Sequence, residues 1–364
     1  MMNCKEKERR CIFIKEVGGG LMKNGKYAAT TAGAALFVLF FVFREDFLKG
    51  AAIGLSNCAQ VIIPSLFPFM TAASVLGEGE MPKSIKKITE PFSRRLFGQP
   101  AEAMIAVAVG LFGGYPSGTR AALSLYKSGK ISRNQAERLM LFCVNSGVGF
   151  CVNALGAGLL GSEKAGNVIF ASLCISAIIT GLFTRSRKKE FFCPAIAIPK
   201  SLSEIFVDGV ASGASGIISV CAFTVLFSGL LSVVSGLVGE KTSTVVACLL
   251  EITSGCAAVS GKIPLPILSG ICAFGGLCVH MQIFSVSGGM KPDFKRFYLF
   301  RILHSLLSAG ICSLLLKLFP VEIPTFLSVA ENVSLYSFSV PAAISLLFFS
   351  SLLIFDLDKQ RKIC

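Results

Sequence analysis

Four short stretches of this chain put helix-breaking residues beside polar side chains inside otherwise apolar sequence. They are GGYPSG (113–118), NSGVG (145–149), EITSG (251–255) and FGGLCVHMQ (274–282). The chemistry such stretches support is non-covalent. A broken helix frees backbone N–H and C=O groups, and its half-helix ends carry opposite partial charges. Gly114, Tyr115, Pro116, Ser117, Asn145, Ser146, Glu251, Thr253, Ser254, Gly255, His280 and Gln282 are therefore the expected ligand-binding residues. Glu251 is the sharpest of them, because a carboxylate among apolar residues is expensive and marks a functional site by default. Unwound carbonyls beside it could hold a coupling H+ or Na+, and no other cofactor is expected. His280 could equally hydrogen-bond a carbonyl, and Ser65, between Pro64 and Pro68, could line a cavity. His304 reads as a packing residue.

Catalysis is not expected. Ser117 in YPSG lacks the G-x-S-G spacing, no H-E-x-x-H occurs, and GCAAVSGKI (255–263) has one residue too many for a phosphate-binding loop. The 14 cysteines form no C-x-x-C pair and read as small hydrophobes, so no metal site is expected.

These stretches need elements to hold them, and the composition says which. Of 364 residues, 53% are hydrophobic and only 15% charged; mean hydropathy is +0.71. Several runs approach the ~20 residues that span a bilayer as a helix. The chain reads as an all-α polytopic membrane protein. The net charge of +14 then reflects basic loops at one membrane face rather than nucleic-acid binding. Apolar segments fall near 27–43, 51–77, 101–119, 139–161, 166–184, 205–238, 243–261, 266–288, 297–319 and 338–355. Segments 101–119 and 243–261 carry breaks and read as re-entrant, leaving about eight transmembrane helices.

Loop charges agree with that topology. With the N-terminus inside, the stretches 1–26, 78–100, 120–138, 185–204, 289–301 and 356–364 hold 29 of the 35 Lys and Arg residues, as the cytoplasmic bias of positive charge requires. Both termini are then cytoplasmic. The loop after the first break reads as two short solvated amphipathic helices, with Ser132 as a cap and Gly129 as a turn. A repeat is also visible. Gly50, Ala52, Gly54 and Ser56 recur as Gly209, Ala211, Gly213 and Ser215 at a constant offset of 159, each followed by the same order of spans and breaks. With opposite starting sides, this is an inverted repeat of the kind secondary transporters use. The expected organisation is a cytoplasmic N-terminal segment (1–26), a first membrane helix (27–43), repeat 1 (45–184), a basic cytoplasmic loop (185–204), repeat 2 (205–319), a last membrane helix (338–355) and a cytoplasmic tail (356–364).

The stretch GYPSGTRAALSLYKSGKISRNQAERLMLFCVNSGVGF (114–150) resembles the nucleoside recognition ("Gate") domain family, and within it the YlbJ-like sporulation integral membrane proteins. The matching residues are Gly114, Tyr115, Pro116, Gly118, Tyr126, Gly129, Ile131, Ser132, Ala136, Glu137, Arg138, Leu139, Asn145 and Gly147. The resemblance implies a fold like the core of concentrative nucleoside transporters, and a small polar, nucleoside-like solute as partner. It also implies a role in sporulation and spore cortex formation, in the cell membrane or outer forespore membrane. The expected function is a permease or ligand-recognition protein in the lipid bilayer. The alternative is a non-transporting scaffold that recruits other sporulation membrane proteins through its basic loops. Fold likeness alone does not choose between them.

Overall fold

The computed structural model describes residue 27 and residues 30–186, 200–290 and 293–321. The expected segments 1–26, 338–355 and 356–364, and most of the basic loop 185–204, lie outside the described residues. Within those residues every regular element is a helix, as expected of backbone that must satisfy its own hydrogen bonds in lipid.

Helix α1 (Thr30–Val42) leads into α2 (Arg44–Asn57), a π-helical turn (Cys58–Ile62) and α3 (Ile63–Glu78). Pro64 accounts for the widened turn. Its ring would clash with the carbonyl four residues back, and it has no N–H to give. Helix α4 (Lys83–Phe97) is amphipathic. Helices α5 (Ala103–Gly113) and α6 (Tyr115–Lys127) form one broken element, followed by α7 (Arg133–Leu139). A π-helix (Gly149–Leu159) and α8 (Glu163–Phe183) complete the first half. The second half holds α9 (Leu202–Leu237), the broken pair α10 (Glu240–Leu250) and α11 (Ile252–Val259), the broken pair α12 (Leu265–Phe274) and α13 (Gly276–Val286), and α14 (Phe294–Leu318).

Five of these helical stretches are long and apolar enough to cross a membrane: Arg44–Glu78, Glu163–Phe183, Leu202–Leu237, Leu265–Val286 and Phe294–Leu318. The expected spans at 27–43 and 139–161 correspond instead to the shorter apolar helices Thr30–Val42 and Gly149–Leu159. Segment 139–161 is not one helix, because the chain runs without helical structure through residues 143–147. The expected solvated hairpin after the first break is also corrected. Ser132 caps α7 in a capping box with Gln135 and Gly129 turns at positive φ, as read. Yet α6 runs unbroken from Tyr115 and buries Ala121, Ala122, Leu123 and Leu125.

The two long helices lie against each other in antiparallel fashion. Gly50 abuts Ser228 and Ser232, Gly54 abuts Val225 and Ser228, Thr71 abuts Gly213, and Val75 abuts Gly209. Numbers rise along one helix as they fall along the other. The recurring glycines thus do reciprocal work: Gly50 and Gly54 admit the second helix, and Gly209 and Gly213 admit the first. Small residues let helix backbones approach closely, which is where packing in lipid finds its energy.

One end of the molecule gathers basic loops. Lys130 Nζ donates to the carbonyls of Gly77 and Glu78, both at 2.8 Å, and to that of Gly79; burial lowers the pKa of this lysine. Lys200 pairs with Glu78 at 2.9 Å and Asp208 at 2.7 Å. Gln99 Nε2 donates to the Gln135 carbonyl at 3.2 Å, and Gly98 packs on Ser186. The residues just before α5 and just after α6 therefore meet the same cluster of loops. The α5–α6 hairpin enters and leaves at that end, and its tip, Gly114, packs on Leu66 inside the long first helix.

A side chain at Gly50 would put its Cβ 2.3 Å from the Ser228 carbonyl oxygen and 2.5 Å from Ser232 Cβ. Gly50→Val is expected to destabilise the fold by about 1–3 kcal/mol, read as a lower thermal unfolding midpoint in detergent. Gly310→Ala, where a Cβ meets nothing within 4 Å, is expected to hold or raise that midpoint.

Candidate functional site

Each of the four sequence breaks is a structural break, and each has a distinct local cause. Gly114 adopts φ +99°, ψ 174°, a conformation closed to residues with a Cβ. Pro116 follows in the first turn of α6, where its missing N–H costs nothing. At residues 143–147 the chain is pinned by wedging. The Cys143 carbonyl oxygen lies where a Cβ on Gly110 or Gly118 would sit, at 1.8 and 1.9 Å, and a Cβ on Gly147 would lie 2.9–3.0 Å from backbone atoms of residues 112–114. Glu251 is extended (φ −141°, ψ 117°) and ends α10 while capping α11. Gly275 ends α12 in the left-handed region at φ +88°.

The freed backbone groups are satisfied across the two halves. The Cys272 carbonyl, in the last turn of α12, accepts hydrogen bonds from Tyr115 Oη and from Ser146 Oγ, the latter at 3.2 Å. Both donors belong to breaks in the first half. Conversely, Arg301 of α14 donates from Nη1 to the Val144 carbonyl and from Nη2 to the Leu141 carbonyl, both at 2.8 Å. It is fully buried and lies 5.8 Å over the Phe297 ring. No carboxylate of the described residues pairs with it. Its partners are carbonyls just past the end of α7, where a cation complements the helix dipole.

A cavity of about 80 Å³ lies where the breaks meet, room for a few waters. Of the expected residues, Gly114, Tyr115, Pro116, Ser146, Glu251, Thr253 and Gln282 line it, and so does Ser65. The lining contains one carboxylate and no Lys, Arg or His. Its walls match across the halves. Val61 and Ser65 stand at the repeat offset of 159 from Val220 and Thr224, and all four line the cavity. The tips Gly114–Tyr115–Pro116 and Glu251–Ile252–Thr253 both line it.

Glu251 is 3% exposed. Its carboxylate accepts from the backbone N–H groups of Thr253 at 3.0 Å and Ser254 at 2.7 Å, so it caps α11 while facing the cavity. Gln282 Nε2 donates to Thr224 Oγ1 at 3.2 Å, tying α13 to α9.

Other expected residues lie outside the lining. Ser117 Oγ donates to the Gly113 carbonyl at 3.1 Å. Ser254 gives its backbone N–H to Glu251, and Gly255 packs on Cys248. Asn145 is buried with its Nδ2 4.0 Å from Cys174 Sγ. His280 Nε2–H donates to the Phe274 carbonyl at 2.9 Å, and its ring is edge-packed by Phe274, Phe297 and Tyr298. It closes the break at Gly275. His304 Nε2–H likewise donates to the Leu173 carbonyl at 3.2 Å.

Three residues escaped the sequence reading. Asn57 and Thr224 line the cavity, Asn57 at the edge of the π-helical turn. Arg301 was counted among loop charges, yet it sits inside α14; a lone arginine in FYLFRILHSLL was the available signal.

The chain is thus a membrane protein, helical throughout its described elements, whose interrupted helices surround a small, mostly apolar cavity that holds one carboxylate. It is 27% identical over 315 residues to the sporulation integral membrane protein YlbJ of Bacillus subtilis (strain 168), with 74% of this chain and 77% of that protein covered. No family model matches the chain, and no solved structure matches it.

Two substitutions test the interlock. Arg301→Lys loses the fork that reaches two carbonyls at once and is expected to lower stability by about 2–3 kcal/mol. Tyr115→Phe combined with Ser146→Ala is expected to destabilise more than the two single changes added together. Either donor alone still pairs the Cys272 carbonyl, and losing both leaves it orphaned at about 1–3 kcal/mol. Thermal unfolding of the purified protein measures both.

Proposed function

We propose that this chain is an integral membrane permease or ligand-recognition protein for a small polar solute, acting in sporulation. The observation that carries the proposal is the convergence of three helix breaks, and of the helix that follows a fourth, on one cavity with a single carboxylate. Irregular backbone at membrane depth persists only where it is buried in protein or lines a water-filled space. The name of the similar Bacillus protein supports the setting in sporulation.

In this reading the halves form an inverted repeat with re-entrant segments α5–α6 and α10–α11, like the core of concentrative nucleoside transporters. About eight crossings put both termini in the cytoplasm, in the cell membrane or outer forespore membrane, with a role in the spore cortex. The antiparallel long helices and the matched cavity walls support the repeat. Rocking one half against the other would open the cavity to each side in turn.

The lining favours a neutral or cationic solute over an anion, because it offers the carboxyl group of Glu251 and no Lys, Arg or His. The cavity is about half the 150 Å³ that holds benzene in an engineered protein core. A nucleoside-sized solute therefore requires a wider state than this one, whereas a coupling H+ or Na+ fits as it stands.

Uptake into proteoliposomes under a proton or sodium gradient, over a panel of amines, sugars and nucleosides, tests this directly. Glu251→Gln is expected to lower gradient-driven uptake at least about tenfold, the loss of one charge-assisted contact. Asn57→Leu, which fills the lining, is expected to lower it as well. Uptake of the transported solute that is unchanged in Glu251→Gln would remove that carboxylate from the mechanism.

A further inference from the structure

Helix α4 presents a face that the rest of the described residues leave uncovered. Ile85, Ile88 and Phe92 are 48%, 66% and 59% exposed and follow the i, i+3, i+7 spacing of a single stripe. The other side of the helix is fastened down. Ser93 Oγ donates to the Pro100 carbonyl at 2.8 Å, the Ala101 N–H donates to Glu90 at 2.7 Å, Lys86 pairs with Glu102 at 2.7 Å, and Phe97 stacks on Phe142 at 4.8 Å. The exposed stripe is therefore not an element waiting to pack inward.

The helix is also strongly basic. Lys83, Lys86, Lys87, Arg94 and Arg95 stand against one acidic residue, Glu90. Lys86 and Arg94 are paired. Among the described residues no ion pair holds Lys83, Lys87 or Arg95, and all three are exposed. At 15 residues the helix is about 22 Å long, too short and too polar to cross. It belongs to the end of the molecule where the basic loops gather.

The second half has nothing like it. Residues 79–102 separate α3 from α5, whereas only Val238 and Gly239 separate α9 from α10. Among the described residues, helix α4 is thus an addition to one half.

We propose that α4 lies in the headgroup layer of one leaflet and binds anionic lipid there. Ile85, Ile88 and Phe92 dip into the acyl boundary, while Lys83, Lys87 and Arg95 meet lipid phosphates. An apolar stripe opposite a basic face is the pattern of helices that lie in the interface, and the surplus of cations selects an anionic surface. The inference requires a bilayer but not transport, so it stands or falls separately from the proposed function.

The chain contains no tryptophan, so one can be introduced as a sole fluorophore. In proteoliposomes of phosphatidylcholine with phosphatidylglycerol, Phe92→Trp is expected to be quenched by phospholipids brominated near the headgroup and shielded from iodide. Lys87→Trp, on the basic face, is expected to show the reverse. A Phe92→Trp signal open to iodide, or shielded from iodide and bromolipid alike, overturns the proposal; the latter would mean that protein covers the stripe. For the charge, phosphatidylglycerol affinity of the delipidated protein is expected to fall about fivefold for each of Lys83→Gln, Lys87→Gln and Arg95→Gln. In the unaltered protein the same affinity is expected to fall with added salt. Affinity indifferent to both overturns the anionic preference.

Discussion

Backbone freed inside a bilayer has no water to turn to, and the architecture follows from that constraint. Each break must be paid for with a partner found in the protein. Glu251 answers the N–H groups of α11, His280 answers the Phe274 carbonyl, Tyr115 and Ser146 answer the Cys272 carbonyl, and Arg301 answers those of Leu141 and Val144. The first two solutions are local. The last two run between halves, so the breaks also bind the halves together. Arg301 is a case where a buried charge needs no opposite charge. Two well-placed carbonyls at the negative end of a helix suffice to hold it.

Near-symmetry sets the shape of the cavity, and departures from it set its chemistry. Matched valines and hydroxyls at Val61, Val220, Ser65 and Thr224 form walls common to both halves. The tips differ. One half begins its second half-helix at Gly114, with no side-chain cap, while the other begins at Glu251, which caps its own helix. Asn57 and its counterpart at the repeat offset, Gly216, differ in the same way, and the guanidinium of Arg120 occupies the space beside that glycine.

Much of this was legible in the sequence because breaking a helix demands particular residues. A positive φ at Gly114 and Gly275, a proline in the first turn of α6 and a carboxylate at a helix start leave marks in the residue types themselves. What a polar side chain faces leaves no such mark. Ser117 and Ser146 belong to similar stretches, yet one bonds its own turn and the other reaches a carbonyl 126 residues away. Asn57 reaches the cavity beside a π-helical turn, which sequence patterns do not announce. Segment 139–161 looked like a span because it is mostly apolar and carries no charged residue. Its interruption depends on the crossing of Gly147 with the α5–α6 tip and on Arg301, contacts that exist only once the chain has folded. The recurring glycines were legible as a pattern, and they are where the two long helices meet, but charge counting alone moved Arg301 out of the helix that contains it.

The reach of Arg301 also has a temporal side. Its two carbonyl partners precede it by 157 and 160 residues. At a ribosomal pace of 5–20 residues per second, they emerge about 8–30 s before the guanidinium that will pair with them. For that interval the first half carries open carbonyls with no lipid-compatible partner, so it has to wait in a hydrated setting such as the insertion machinery.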